Sequence, residues 1–183
     1  MEIKWSGYKW ITQEVWGQIH KNKTHAWYDP SAVIKEPNGS ISLLTHANTN
    51  TFTIDGETVR SPNGVGLISC TEKFSYGRFE IEAKLPKGKF LWPAFWMWSW
   101  SSWPPEIDIF EGYSTRYFGY FRPSINNLSL WNMESNVHTR GIETPPPARD
   151  HWIGFRSPDN RYIKYALEWR KDSLKFFYDD KLV

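Results

Sequence analysis

Disulfide stapling is closed to this chain of 183 residues, because it holds a single cysteine, Cys70. Cys70 lies in an apolar run with no basic neighbour to favour a thiolate, so it is expected to be a small buried hydrophobe without a role in chemistry. Excess charge is missing as well. The 22 Lys and Arg residues nearly balance the 20 Asp and Glu residues, leaving +2, too even to imply nucleic acid or an anionic membrane as partner. Long apolar runs are also absent: Met1-Glu2-Ile3-Lys4-Trp5 has no signal core, and no stretch is long enough to cross a bilayer, so no membrane insertion is expected. That leaves export by another route, removal of a leader, or work at the place of synthesis. His20, His25, His46 and His151 show no metal-ligand spacing. Helical periodicity is the last absence, since no window sustains a 3.6-residue repeat over a dozen positions.

Aromatic residues are what the chain has in abundance: 12 Trp, 11 Phe and 9 Tyr make up 17% of it, more than a core needs. Turn signals recur at Pro37-Asn38-Gly39, Asp55-Gly56, Pro62-Asn63-Gly64, Pro86-Lys87-Gly88, Pro104-Pro105 and Asp179-Asp180. Between them lie short β-branched and aromatic runs at 40–45, 66–71, 79–85 and 174–178. This pattern predicts one all-β domain over residues 1–183, an antiparallel sandwich or barrel, acting as a monomer. The proline-rich stretch 144–149 is expected to be a loop, and 113–136 to make long excursions. Six arginines (Arg116, Arg122, Arg140, Arg149, Arg156, Arg161) give a mild local excess of positive charge, read as scattered surface charge, with contact to an anionic polysaccharide as the competing reading.

The segment Glu106-Ile107-Asp108-Ile109-Phe110-Glu111 concentrates acids. In a strand, Glu106 and Asp108 share one face and Ile107 and Ile109 the other, while Glu111 has the wrong parity to join the first two. A β-bulge at Ile109–Phe110 would re-aim it onto their face. Glu106 and Glu111 would then stand roughly 13 Å apart between Cα atoms. Side chains leaning inward leave about 5 Å between carboxyls, the separation at which two acids cleave a glycosidic bond with retention. Asp108 fits between them, and three adjacent carboxyls disfavour full ionisation, so one can hold a proton near neutral pH. On spacing alone, a solvated strand face of alternating acids competes with this reading.

Upstream, the expected strand 91–100 places Trp92, Trp96, Trp98 and Trp100 on one face, with Phe95 and Met97 on the other. Indoles beside a carboxylate triad read as a platform for stacking sugar rings, while a purely structural stripe is the competing reading. The short connection 101–105 makes this strand and the acidic one neighbours in one sheet.

These segments resemble glycoside hydrolase family 16, the laminarinases, lichenases, agarases and carrageenases. Tyr76-Gly77-Arg78-Phe79-Glu80 is similar to the family's strand entering its concave sheet, Leu91-Trp92-Pro93-Ala94-Phe95-Trp96 to its next strand, and Glu106–Glu111 to its E-x-D-x-x-E signature in bulged form. Tyr165-Ala166-Leu167-Glu168-Trp169 and the residues from Lys175 on resemble a later strand pair ending in a hairpin. The resemblance implies a concanavalin-like jelly-roll sandwich with a concave substrate cleft. It assigns Glu106 as nucleophile, Glu111 as general acid/base and Asp108 as the carboxylate that holds and tunes the nucleophile. It aligns Trp96, Trp98 and Trp103 with cleft aromatics, and makes Asn136 and His138 candidates for sugar hydroxyl contacts, with a structural histidine as the competing reading. No cofactor is implied. The family's structural calcium, bound through an oxygen near Gly39, also needs a late aspartate that this chain does not supply. The family continues with further strands past the position of Val183, which makes this a fragment or a truncated relative by the resemblance. Asp180 replaces a usual turn glycine, and Phe176 a usual cleft tryptophan.

The expected function is retaining endo-hydrolysis of internal β-linkages in a polysaccharide, foremost β-1,3- or β-1,3-1,4-glucan, with extracellular or cell-surface action expected from that substrate class. The alternatives are a galactan hydrolase or transglycosylase of the same family, a non-catalytic lectin-like carbohydrate-binding module, or a structural sandwich.

Overall fold

The computed structural model describes residues 1–86, 91–112, 131–139, 150–154 and 161–183, apart from the side chains of 131–133 and 150–154. Five of the six arginines noted above, the 144–149 loop, the Lys87-Gly88 end of one expected turn and most of 113–136 lie outside the described residues. Apart from one 3₁₀ turn, Pro30–Ala32, every regular element described is a strand, and no helix is long and apolar enough to cross a membrane. The chain divides into two compact units, Met1–Phe74 and Ser75–Val183.

The first unit contains β1 (Glu2–Trp5), β2 (Tyr8–Ile11), β3 (Ala26–Tyr28), β4 (Val33–Lys35), β5 (Ile41–Leu43), β6 (Thr45–Ile54), β7 (Glu57–Val65) and β8 (Ser69–Cys70). They form sheets in the orders β1-β2-β8, β3-β7-β6 and β4-β5. Asp55-Gly56 and Asn38-Gly39 close hairpins as their turn chemistry predicts, with Asp55, Gly56 and Gly39 all at positive φ.

Pro62-Asn63-Gly64 is not a turn. It lies inside β7, where Asn63 and Gly64 pair in parallel with Ala26 and Trp27 of β3, the one parallel pair described. Gly64 is there for close approach: a Cβ would stand 2.6 Å from Asp29 Oδ2 and 2.8 Å from His46 Nε2. The buried Asp29 caps the 3₁₀ turn through the Ser31 N–H and hydroxyl, and its other oxygen accepts from Asn48 at 2.6 Å and meets His46 at 2.8 Å. Cys70, expected to be buried, is half-buried on the short edge strand β8. The Gly39 carbonyl accepts a hydrogen bond from Trp5 Nε1 at 2.9 Å.

The second unit is a sandwich. One sheet joins β9 (Gly77–Ala83), β14 (Ile163–Arg170), β15 (Ser173–Tyr178) and β16 (Lys181–Leu182) in the order β16-β15-β14-β9. The other joins β10 (Ala94–Trp98), β11 (Glu106–Glu111), β12 (Trp131–His138) and β13 (Asp150–Gly154) in sequence order. Strand alternation builds the layer between them: Phe79, Ile81, Tyr165, Leu167, Phe176 and Tyr178 from the first sheet meet Phe95, Met97, Ile107, Ile109, Phe110 and Val137 from the second. A fully buried Leu167 or Ile109 contributes about 1.5–3 kcal/mol. On the first sheet's outer face Arg78 bridges Glu80, Glu168 and Asp180.

Two expectations tied to the family are corrected here. The Tyr76–Glu80 segment enters the sheet that lacks the acids, and Phe176 points into the core from that same sheet rather than into a cleft. Parity decides the latter: Leu174, Phe176 and Tyr178 share one face of β15. Asp179 and Asp180 both take positive φ in the last hairpin, with the Asp179 carboxylate accepting from the Lys164 N–H and from Arg161.

Candidate active site

The expected bulge is present, and it organises the site. Phe95 pairs with Phe110 and Trp96 with Asp108, so β10 skips Ile109; on the other side Asp108 pairs with Asn136 and Glu111 with Glu134, so Ile109 and Phe110 together oppose Ser135 alone. Ile109 and Phe110 are both buried in the core. The parity error is thereby absorbed and Glu111 returns to the face of Glu106 and Asp108. Cross-strand partners share a face, which yields three rows outside the core: Trp98–Glu106–His138, Trp96–Asp108–Asn136 and Ala94–Glu111–Glu134.

Tryptophans hold the two outer acids. Trp103 Nε1 donates to Glu106 Oε2 at 2.7 Å, and Trp92 Nε1 donates to Glu111 Oε1 at 2.9 Å. Trp96 and Trp98 stack with ring centroids 6.1 Å apart and planes 22° from parallel. The aromatic stripe is shorter than the 91–100 strand expected from the sequence. Regular pairing runs only from Ala94 to Trp98, Trp92 reaches the site from the preceding coil, and Trp100 lies in the turn that follows. The indoles of Trp92 and Trp103 remain about half exposed, so both can meet a ligand while orienting an acid.

Asp108, 1% exposed, lies between the two glutamates. Burial first, then the charges of Glu111 and Glu106 and hydrogen bonds to both, push its carboxyl up to about 8. At neutral pH the cluster therefore keeps a proton on its central member. Asn136 Oδ1 accepts from the Val137 N–H at 2.9 Å, which turns Nδ2 toward His138 Nε2 at 3.2 Å and leaves that nitrogen as the acceptor. His138 Nε2 is also 3.2 Å from Asp108 Oδ2 and 3.9 Å from Glu106 Oε1, and its ring stands 5.8 Å from that of Trp103. Glu106, Asp108 and His138 have donor atoms within 4.8 Å of one another and form the one set among the described residues with the geometry to hold a metal ion.

The eight residues that the sequence assigned to the site thus meet on one face or its border: Glu106, Asp108 and Glu111 on β11, Trp96 and Trp98 on β10, Asn136 and His138 on β12, and Trp103 from the connection. Three more belong with them. Glu134, 2% exposed, is a fourth carboxylate, directly across from Glu111. Ser135 and Tyr178 sit behind the bulge, where Ser135 Oγ donates to the Ile109 carbonyl at 2.9 Å. Extending the alternation of Asn136 and His138 back two residues would have put Glu134 on their face, but only the register sets it against Glu111. Nothing local marked Tyr178.

A beta-1,3-glucan-binding protein from Penaeus monodon is 31% identical over 122 residues, covering 60% of this chain and 31% of its own length. A beta-glucanase from Rhodothermus marinus is 34% identical over 125 residues, 60% of this chain and 37% of its own. The chain therefore spans about a third of the length of these curated relatives. The solved structure of the Bacillus licheniformis beta-glucanase superposes with a TM-score of 0.67 at 17% identity, over 99% of this chain and 72% of that one, and shows that the fold is its all-β jelly roll. Since residues 23–183 match the model of glycosyl hydrolases family 16, whose bulged acidic strand this chain carries intact, the chain belongs to that family.

Proposed function

We propose that this protein is a retaining endo-glycoside hydrolase that cleaves internal β-linkages of a polysaccharide, β-1,3- or β-1,3-1,4-glucan. The observation that carries this reading is the bulge, which brings Glu111 onto the face of Glu106 and Asp108. In the first step Glu106 attacks the anomeric carbon while Glu111 gives its proton to the departing glycosidic oxygen, and the C–O bond breaks. Glu111, now a carboxylate, takes a proton from water as that water attacks the glycosyl–Glu106 ester, freeing the sugar with retained configuration. Asp108, protonated between them, donates to the nucleophile at rest, so that with the catalytic proton on Glu111 the cluster carries a single negative charge, on Glu106. Trp96 and Trp98 form the stacking platform, with Trp103 at its border, and Asn136 and His138 face sugar hydroxyls.

A glucan-binding module without turnover is the second reading, favoured by the Penaeus monodon relative. Binding alone has no use for a paired acid at each end of the bulge, and hydrolysis has. Glu106→Gln and Glu111→Gln should each abolish reducing-sugar release from laminarin and lichenan while leaving polysaccharide binding intact. Wild-type-like release by either variant, or no release by the wild type from a panel that adds agarose and carrageenan, would end the assignment. Mass spectrometry of the products separates hydrolysis from transfer to a second sugar.

A further inference from the structure

Ile109 has no cross-strand partner on either side, because β10 skips it and Ser135 stands alone opposite it and Phe110. A buried carbonyl left outside the ladder must find another donor. Here it accepts from Ser135 Oγ at 2.9 Å, and Ser135 Oγ lies 3.1 Å from Tyr178 OH, which is itself 3.5 Å from the same carbonyl. Tyr178 belongs to β15 of the opposing sheet, so the contact ties the bulge across the core. Ile109, Ser135 and Tyr178 are each at most 1% exposed, so water cannot take over. Burial holds the Tyr178 phenol well above its ordinary range, so its hydroxyl stays a donor.

We infer that Ser135 and Tyr178 are positioning residues whose hydroxyl pair holds the Ile109 bulge, and with it the placement of Glu111 opposite Glu106. The physical reason is parity. Without the extra residue at Ile109, β11 would run in regular alternation and turn Glu111 toward the core side. The bulged register has to be favoured over the regular one, and a donor aimed at the carbonyl of the bulged residue does this selectively. In the regular register that carbonyl would be taken by the ladder and the buried Ser135 hydroxyl would keep only Tyr178 as a partner. Neither residue touches the sugar. Their effect passes through the backbone of β11.

The inference rests on the proposed reading for its catalytic arm, so the test needs a second arm. Ser135→Ala should lower kcat by roughly ten- to a hundredfold, the cost of misplacing a reacting group by a fraction of a bond length, with KM within about twofold. Ser135→Thr, which keeps the hydroxyl, should recover most of kcat, and Tyr178→Phe should cost less than Ser135→Ala. Amide hydrogen exchange at residues 109–112 should quicken in Ser135→Ala and Tyr178→Phe relative to the core of β14, whether or not any substrate is turned over. Unchanged exchange at 109–112 in both variants overturns the inference, as does a Ser135→Ala kcat within twofold of wild type. A wild type inactive on every glucan would refute the proposed function instead, and the exchange arm would still decide this one. If Ser135→Ala does not fold, Tyr178→Phe carries both arms.

Discussion

Asp108→Asn offers a direct reading of the charge stored in the acid cluster. An unfolded aspartate ionises near 3.9, whereas burial and the two flanking glutamates push Asp108 up to about 8 in the folded protein. Between those values the native state holds a proton that the unfolded state has released. Stability therefore falls as pH rises through this window, by up to about 1.4 kcal/mol per pH unit, with a ceiling of about 6 kcal/mol across it. Part of that ceiling is shared with Glu106 and Glu111, so a loss of about 2 kcal/mol between pH 5 and 8 is the working expectation. Asparagine has the shape and the donor of the protonated acid but cannot ionise. Asp108→Asn should match wild type near pH 4 and exceed it at pH 8 by the same amount, about 4–8 °C in Tm for a chain of this size. Urea or thermal melts of both proteins at half-unit steps from pH 4 to 8.5 measure it, and the difference between the two curves cancels the titrating groups outside the acid cluster. Parallel curves would refute the reasoning, because they would mean that Asp108 titrates in the native state as it does in the unfolded chain.

Other outcomes follow from single contacts. Trp103→Phe keeps the ring but removes the N–H that Glu106 accepts at 2.7 Å, and should lower kcat by roughly tenfold or more, the value of a hydrogen bond to a charged group; steady-state kinetics on laminarin would show it, and an unchanged kcat would remove the indole from the site. Gly64→Ala pushes a methyl against Asp29 Oδ2 and His46 Nε2 and should destabilise the first unit by roughly 1–3 kcal/mol, read as a lower urea midpoint. Burial alone would raise the Asp29 carboxyl, but hydrogen bonds from His46, Ser31 and Asn48 hold it down at about 2. Its contribution is therefore complete above the unfolded value near 4 and is lost as pH falls through about 2. Asp29→Asn should flatten that part of the acid-unfolding curve, followed by far-UV circular dichroism from pH 5 to 1.5.

The acids were legible because a strand has a period of two. Parity alone says that Glu111 cannot join Glu106 and Asp108 without one extra residue, and it names Ile109–Phe110 as the place. Trp96 and Trp98 were legible for the same reason, as were the closing turns, where Asp55-Gly56 and Asp179-Asp180 accept positive φ. Periodicity does not say which sheet a strand joins. Tyr76–Glu80 and Phe176 were therefore placed on the wrong side of the sandwich. Pro62-Asn63-Gly64 misled because turn residues also serve close approach, and only the Asp29 carboxylate beside Gly64 shows which of the two applies here.

What the sequence determined by itself is everything that depends on neighbours within one strand: the strand class, the face each acid prefers, and the need for a kink at Ile109. What only the tertiary structure decided is which residues stand across from those acids. Glu134 faces Glu111, His138 faces Glu106, and Tyr178, 69 residues from Ile109, reaches the carbonyl that the kink sets free. Alternation is carried by the backbone of a single strand, but register and sheet packing are settled by hydrogen bonds and burial between segments far apart in the chain, and local pattern cannot encode which distant segment arrives.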